Sequence, residues 1–250
     1  MKKRIRQCFG KAAASYSDAA VVQREVAVHC ADLCPAGKYE NVLDIGSGVG
    51  FLYGSLAERI EFDNYVSLDL VQPMLLEQKK INSAMLVAAD GENLPVRDDS
   101  IDLLVSSSAM QWFANPEISI PDCFSVLKKG GRFAVAVFTK GTLSELADVS
   151  SRTGFGSVKD LKEASFYRDV FSSIDGLSAS FYTSRHEVFF PSVKHFLKNH
   201  KMTGAVASSG DISWGREKYV RFVNEYEKLY RGEAGIKATY EVFLTCGEKS

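Results

Sequence analysis

Between residues 38 and 138 the apolar positions come in short runs separated by stretches with helical periodicity. Val42-Leu43 with Ile45, Tyr65 to Leu70, Ala84 to Asp90, Ile101 to Ser106 and Arg132 to Phe138 each suit a buried strand. Strand alternating with helix argues for a parallel sheet joined by right-handed crossovers. Upstream, Ala12-Ala13-Ala14 and the run from Ala19 to Cys34 favour helix, and Pro35-Ala36-Gly37 stops it. Thr142 is placed to cap a helix, with Glu145 three residues on completing a capping box. Farther on, Leu177–Phe190 alternates imperfectly and Thr239–Cys246 clearly, as strands do. The roughly 45 residues between these two strands are helical in character, far more than a hairpin needs, and read as a lid over the substrate mouth. The pattern predicts a single α/β domain over 1–250, with a doubly wound, mostly parallel seven-stranded sheet. Its parts are a helical cap (1–37), a binding core (38–138), a C-terminal part of the core (139–190), a helical lid (191–235) and a last strand (236–250).

The candidate chemistry lies where the first strand ends. Residues 42–50 read Val-Leu-Asp-Ile-Gly-Ser-Gly-Val-Gly, a strand running into a glycine turn, with 51–60 able to form a helix. Glycine here lets the backbone turn sharply and approach a ligand over the strand's carboxyl end. A dinucleotide fingerprint wants a third glycine at position 51, which is Phe51, and no Gly-Lys-Ser/Thr follows for a phosphate loop. Asp44, just before the turn, disfavours a phosphate neighbour and favours a cationic one. S-adenosylmethionine, with a sulfonium and an ammonium but no phosphate, fits that requirement. Asp69 ends the second strand 23 positions beyond Gly46, where a carboxylate can accept both ribose hydroxyls. Asp90 ends the third and is placed to accept from the adenine amino group. Each acid alone has an innocent reading as a helix or turn cap. Three in order, each at a strand's end, make that reading poor.

Composition narrows the partners. The chain has 250 residues, 46% hydrophobic and 24% charged, with a formal net charge of −1. That is an ordinary globular composition, with no global field to recruit nucleic acid or a membrane surface. No stretch is long and apolar enough to span a bilayer. Met1-Lys-Lys-Arg-Ile-Arg6 is basic but lacks the apolar segment of a signal peptide. The five cysteines (8, 30, 34, 123 and 246) fit a reducing cytoplasm. Cys30 and Cys34, with His29 beside them, have helical spacing but no further ligands nearby, so they read as small core residues and no metal site is expected.

The glycine turn and its spaced acids resemble motif I and the following strands of class I methyltransferases, which implies a Rossmann-like fold. The flanks narrow the likeness. Residues 8–23, with Phe9, Ala12-Ala13, Tyr16 and Gln23, resemble the opening of malonyl-[acyl-carrier protein] O-methyltransferases of biotin synthesis. Ser108-Ala-Met-Gln-Trp112, Lys140 to Leu146, Leu197-Lys198 with Thr203-Gly-Ala205, and Ala238-Thr-Tyr-Glu-Val-Phe-Leu244 are similar to the same family. Two departures stand out. Ala147-Asp148 occupies a place where the family often has a basic residue, and 206–236 match poorly. The resemblance implies methyl transfer from S-adenosylmethionine to the free carboxylate of malonyl-acyl carrier protein or malonyl-coenzyme A. Such a carboxylate, with a pKa near ~4, is ionised at neutral pH and needs no general base. Residues 106–112 accordingly contain no His or Asp.

The residues expected at the cofactor are Tyr16, Gln23, Asp44, Gly46, Gly48, Asp69, Leu70, Met74, Asp90, Gly91 and Ser106. Tyr16 and Gln23 would close over it from the N-terminal helix. Gln111, as an amide donor, and Trp112 would face the acyl group. Both Trp112 and Tyr16 also have a plain reading as packing residues. Lys194, Lys198 and Lys201 form one helical stripe, with Val193, Phe196 and His200 on another. The lysine stripe is a candidate docking surface for an acidic carrier protein, or an ordinary solvated face. A monomer is expected. Two rival readings remain open: another small-molecule methyltransferase of the aconitate or quinone type, and a regulatory module that keeps the fold without catalysis.

Overall fold

The computed structural model describes residues 1–205 and 215–250. The chain opens with two helices, α1 (Lys2–Ala19) and α2 (Val21–Asp32), which break at Ala20, where φ −87° and ψ 54° leave the helical region. The elements that follow are β1 (Lys38–Ile45), α3 (Phe51–Ala57), β2 (Glu61–Asp69), α4 (Gln72–Gln78), β3 (Met85–Ala88), β4 (Ile101–Ser107), α5 (Pro116–Cys123) and β5 (Leu127–Phe138). The C-terminal third holds α6 (Ser144–Thr153), α7 (Ala164–Ser172), β6 (Leu177–Phe190), α8 (Val193–Met202), α9 (Arg216–Tyr230), β7 (Arg231–Gly232) and β8 (Gly235–Lys249).

Seven strands run in the order β3-β2-β1-β4-β5-β8-β6, and the two-residue β7 pairs with the start of β8 as an added hairpin. β1 to β5 are parallel, while β8 runs antiparallel between β5 and β6. The strand order reverses between β1 and β4. In a doubly wound sheet that reversal opens a crevice at the strands' carboxyl ends, and ligands bind there.

Neighbouring positions on the central strands point to opposite faces, and both faces are buried. Val42, Leu103, Val105, Ala134 and Val242 pack with α2, α3, α6, α8 and α9 on one side. Leu43, Leu104, Val135, Val137 and Phe243 pack with α5 and α7 on the other. This explains the consecutive apolar runs in the sequence, because a strand covered on both faces has no position to give to water. Each fully buried Leu or Phe contributes about 1.5–3 kcal/mol to this core. Cys30 and Cys34 join the first cluster as small buried residues.

Several boundaries differ from the sequence reading. β5 begins at Leu127 rather than Arg132, because Leu127 already pairs with Ile101 before the register shifts at a bulge. β3 stops at Ala88, which places Asp90 in the turn beyond it. The capping box does not form. Leu143 precedes α6 in a left-handed conformation, and Thr142 and Glu145 turn instead to β8. Thr142 Oγ1 donates to the Glu241 carbonyl and accepts from the Glu241 N–H, while Glu145 accepts from the N–H and the hydroxyl of Thr239. These backbone groups precede Val242, where pairing of β8 with β5 ends, so they need other partners and are the stronger demand on those side chains.

The segment expected as a lid also has a structural load. Phe196 of α8 and Phe222 and Tyr226 of α9 are fully buried in the first cluster. Helix α8 braces α1: Asn199 Nδ2 donates to the Ala19 carbonyl at 3.1 Å and Ser15 Oγ to that of Met202 at 3.2 Å. Residues 206–214 of that segment lie outside the described residues.

Candidate active site

A cleft enclosing about 980 Å³, counting the part open to solvent, lies over the carboxyl ends of β1, β2 and β4 and under α1 and α2. It is within the usual size range of small-molecule sites. Of the residues expected at the cofactor or the acyl group, Tyr16, Gln23, Asp44, Gly46, Gly48, Asp69, Leu70, Met74, Asp90, Gly91 and Trp112 line it. Two do not. Ser106 is fully buried, with its hydroxyl on the Ile45 carbonyl at 2.8 Å, a brace between β4 and β1. Gln111 is buried in a short 3₁₀ turn, off the cleft lining, with its amide nitrogen donating to the Ser108 carbonyl at 2.7 Å, so it does not face the acyl group as expected. Among the described residues none of 191–235 lines the cleft.

The glycine turn is held from below by Asp69. Its Oδ2 accepts from the Gly48 N–H at 2.8 Å and its Oδ1 from the Val71 N–H at 2.7 Å, tying the loop to the start of α4. Burial pushes this carboxyl up to about 6, against the opposing pull of those two N–H groups. Each oxygen keeps a lone pair for a ribose hydroxyl. Gly46 has φ +74°, and a Cβ there would stand 2.2 Å from the Cβ of Ala109. A side chain at 46 is therefore excluded first by the turn after β4, whatever the ligand.

Asp44 is fully buried at the end of β1. Tyr65 donates to its Oδ2 at 3.0 Å, whereas Oδ1 has no partner. Burial drives the carboxyl up to about 8, offset in part by the Tyr65 hydrogen bond, with the nearby Asp69 charge adding to the rise. A buried acceptor without a donor is costly, about 1–3 kcal/mol, and is the kind of vacancy a ligand fills. An ammonium group is the complement that Asp44 lacks, so the donor set fits the amino-acid end of S-adenosylmethionine.

Four aromatic rings wall the other side. Tyr16 stacks on Phe51 at 6.0 Å between centroids, and Phe9 meets Trp112 edge-on at 5.4 Å. Phe51, which stands where a dinucleotide loop would carry glycine, is thus a wall residue. Near them Ser107 and Ser108 line the cleft with buried hydroxyls that lack a hydrogen-bond partner, and Ser108 has φ +58°. The sequence reading stopped at Ser106 and passed over these two, since alternation along β4 cannot show where the chain leaves the strand.

Lys2, Phe9 and Glu92 were also passed over as side chains of the cleft. Lys2 reaches from α1 to Asp90 Oδ2 at 2.6 Å and Glu92 Oε2 at 2.8 Å, so Asp90 already has a cationic partner. Burial would raise the Glu92 carboxyl, but hydrogen bonds from Lys2, the Asn115 and Ala114 N–H groups and Ser119 outweigh it and hold it down at about 2. No local pattern announces this clasp, because its members are 88 and 90 residues apart.

A Rossmann-like sheet, a glycine turn pinned by a carboxylate and an orphaned acid under an aromatic cap define the class: this is an S-adenosylmethionine-dependent methyltransferase. The family described as "Methyltransferase domain" matches residues 43–135. The chain is 30% identical to a malonyl-[acyl-carrier protein] O-methyltransferase of Dechloromonas aromatica, over 99% of this chain and 95% of the relative. It is 31% identical to the corresponding protein of Laribacter hongkongensis, over 96% and 87%. It is also 32% identical to the biotin biosynthesis bifunctional protein BioHC of Cellvibrio japonicus, over 97% of this chain but 49% of that longer protein. The chain belongs to the malonyl-[acyl-carrier protein] O-methyltransferase family. Among solved structures, a chain of the Haloferax volcanii complex between the Trm112 methyltransferase activator and a methyltransferase superposes with a TM-score of 0.62 at 19% identity, covering 98% of this chain and 97% of that one. That likeness bears on the fold alone.

Proposed function

We propose that this enzyme transfers a methyl group from S-adenosylmethionine to the free carboxylate of malonyl-acyl carrier protein, an early step of biotin synthesis. The observation that carries this reading is full-length similarity to relatives of that name, through the cap and the C-terminal strands as well as the cofactor core. The reacting end of the cleft is consistent with it. Ser107, at the end of β4, and Ser108, Ala109, Trp112 and Phe113 beyond it line the cleft, and none is a base at neutral pH. A carboxylate, ionised already, needs none. The quinone-type alternative must deprotonate carbon or a phenol and would want such a base.

When bound, S-adenosylmethionine supplies an electrophilic methyl carbon on a sulfonium. The protein's part is to hold and to dry. Asp44 would take the ammonium, Asp69 the ribose hydroxyls, and the turn at 46–48 would let the backbone approach closely. Phe9, Tyr16, Phe51 and Trp112 exclude water, and Gln23 reaches the cleft from α2. The residues named would hold the substrate's carboxylate oxygen in line with that methyl carbon, whose transfer would leave the carbon–sulfur electron pair on sulfur. Opposite charges annihilate along that path, and positioning with water excluded supplies the acceleration. The same reading has the enzyme act as a cytoplasmic monomer that also accepts malonyl-coenzyme A, without nucleic acid, membrane or metal.

Mass spectrometry of malonyl-acyl carrier protein after incubation with enzyme and cofactor tests this directly. A gain of one methylene on the acyl group, absent with the acetyl form, is the expected result. An unmodified malonyl group under conditions where the enzyme binds S-adenosylhomocysteine would overturn the substrate while leaving the class intact.

A further inference from the structure

The cleft is rich in carboxyl groups. Asp44, Asp69, Asp90 and Glu92 all line it, and Lys2, the one lysine or arginine of the lining among the described residues, is paired with the last two. Such a lining suits a cationic cofactor and leaves no free cation for an anionic substrate, whose carboxylate must come within bonding reach of the methyl group. A substrate of that charge needs a cation at the reacting end.

One lysine is placed to provide it. Residues 155–163 cross from α6 to α7, anchored by Phe155, Val158 and Leu161, which pack onto the first core cluster. Phe155 also meets the rings of Tyr219 and Phe222 on α9. These anchors hold Lys159, whose Nζ lies 5.2 Å from the centroid of the Trp112 ring, a wall residue of the cleft. Among the described residues no acceptor or carboxylate reaches that ammonium within hydrogen-bonding or ion-pair distance. The neighbouring lysines are committed elsewhere, Lys140 to Glu163 at 2.7 Å and Lys162 to the Phe166 ring. Lys159 is half-buried, and its burial lowers the ammonium's pKa, with Asp160 opposing that from a distance. A partly desolvated cation without an anion among the described residues, held on a ring that lines the same cleft as two serine hydroxyls without partners, is half of a carboxylate site.

Resting on the function proposed above, we propose that Lys159 is the substrate-binding cation of this enzyme: it takes the free carboxylate of the acyl thioester against Trp112, with the Ser107 and Ser108 hydroxyls as the remaining donors. Lys159 selects the substrate's charge and orients the attacking oxygen, and it takes no part in proton transfer.

Lys159→Met keeps an unbranched stem on Trp112 and removes only the charge. The variant is expected to bind S-adenosylhomocysteine with unchanged affinity, while the KM for the malonyl thioester rises about 10- to 100-fold, as for loss of a hydrogen bond to a charged group. Lys159→Arg should recover most of it. A binding measurement needs no turnover. With S-adenosylhomocysteine present, wild type should bind malonyl-coenzyme A more tightly than the analogue bearing a carboxamide in place of the carboxylate, and Lys159→Met should bind the two alike. A wild-type enzyme that methylates malonyl thioesters, together with a Met variant of unchanged KM and unchanged discrimination, overturns the role of Lys159 alone. A wild-type enzyme that neither methylates the malonyl thioester nor prefers it to the carboxamide overturns the function and this role together.

Discussion

Asp44 shows how one buried atom can link binding to protons. With its carboxyl at about 8, it is largely protonated at pH 7 in the free protein. An ammonium placed on Oδ1 favours the ionised form, so cofactor binding at pH 7 should release about one proton. Calorimetry in buffers of different ionisation enthalpy reads that release directly. Asp44→Asn should abolish it and weaken binding, and an unchanged release in the variant would place the titrating group elsewhere. The sign for stability runs the other way. The native state holds this proton more tightly than the unfolded chain, whose reference value is 3.8. The contribution is therefore full below that value and is lost as pH rises through about 8 in the free protein.

Asp69 does two jobs, and they can be separated. Asp69→Ala removes the anchors of Gly48 and Val71 together with the ribose acceptor, whereas Asp69→Asn keeps one carbonyl oxygen as an acceptor. Hydrogen bonds to a charged group are worth about 1.5–3 kcal/mol each, so Asp69→Asn should weaken S-adenosylhomocysteine by at least about tenfold with a modest change in melting temperature. Because burial sets the Asp69 carboxyl at about 6, wild-type affinity should also rise as pH passes upward through that value. In Asp69→Asn this segment of the profile should be flat. Wild-type affinity in a folded Asp69→Asn protein would remove Asp69 from the cofactor site.

At the scale of elements, the cap is fastened at both ends and must still admit a ligand. Lys2 fixes the beginning of α1 to Asp90 and Glu92, and α8 fixes its end through Asn199. The Lys2 contacts are partly exposed and give way more cheaply than the buried face of α2, so α1 is the part expected to open. Hydrogen exchange in residues 2–19 should slow on adding S-adenosylhomocysteine, with little change in α2. Lys2→Ala should speed exchange at the start of α1 in the free protein. Equal protection with and without ligand would make the cap plain packing rather than a gate.

Across the whole molecule, net charge is near zero, so any steering must be local. Lys194, Lys198 and Lys201 are exposed on α8, with Val193 and Phe196 buried beneath them. Their helix braces the cap, which brings a basic stripe to the element next to the cleft without placing it in the cleft itself. Replacing all three with Glu should raise the KM for malonyl-acyl carrier protein and flatten its salt dependence, while malonyl-coenzyme A is far less affected. Equal effects on both substrates, or none, would leave the stripe as solvated surface.

The same scale separates what the chain announces locally from what folding decides. Hydrophobic runs, the glycine turn and the spacing of Asp44, Asp69 and Asp90 were enough for the doubly wound sheet and for a set of residues that line one cleft. These signals are local, since a strand buried on both faces and a turn of special backbone geometry each impose their own residues. The partners of those residues were not legible. That Gly46 must stay small because of Ala109 and that Glu145 serves β8 rather than the cap of α6 both depend on segments brought together from far along the chain. The same holds for Lys2 against Asp90 and for Lys159 against Trp112. Periodicity shows which face of an element is buried. Which side chain across the cleft satisfies a buried oxygen, or leaves it open for a ligand, is decided only when the whole chain has packed.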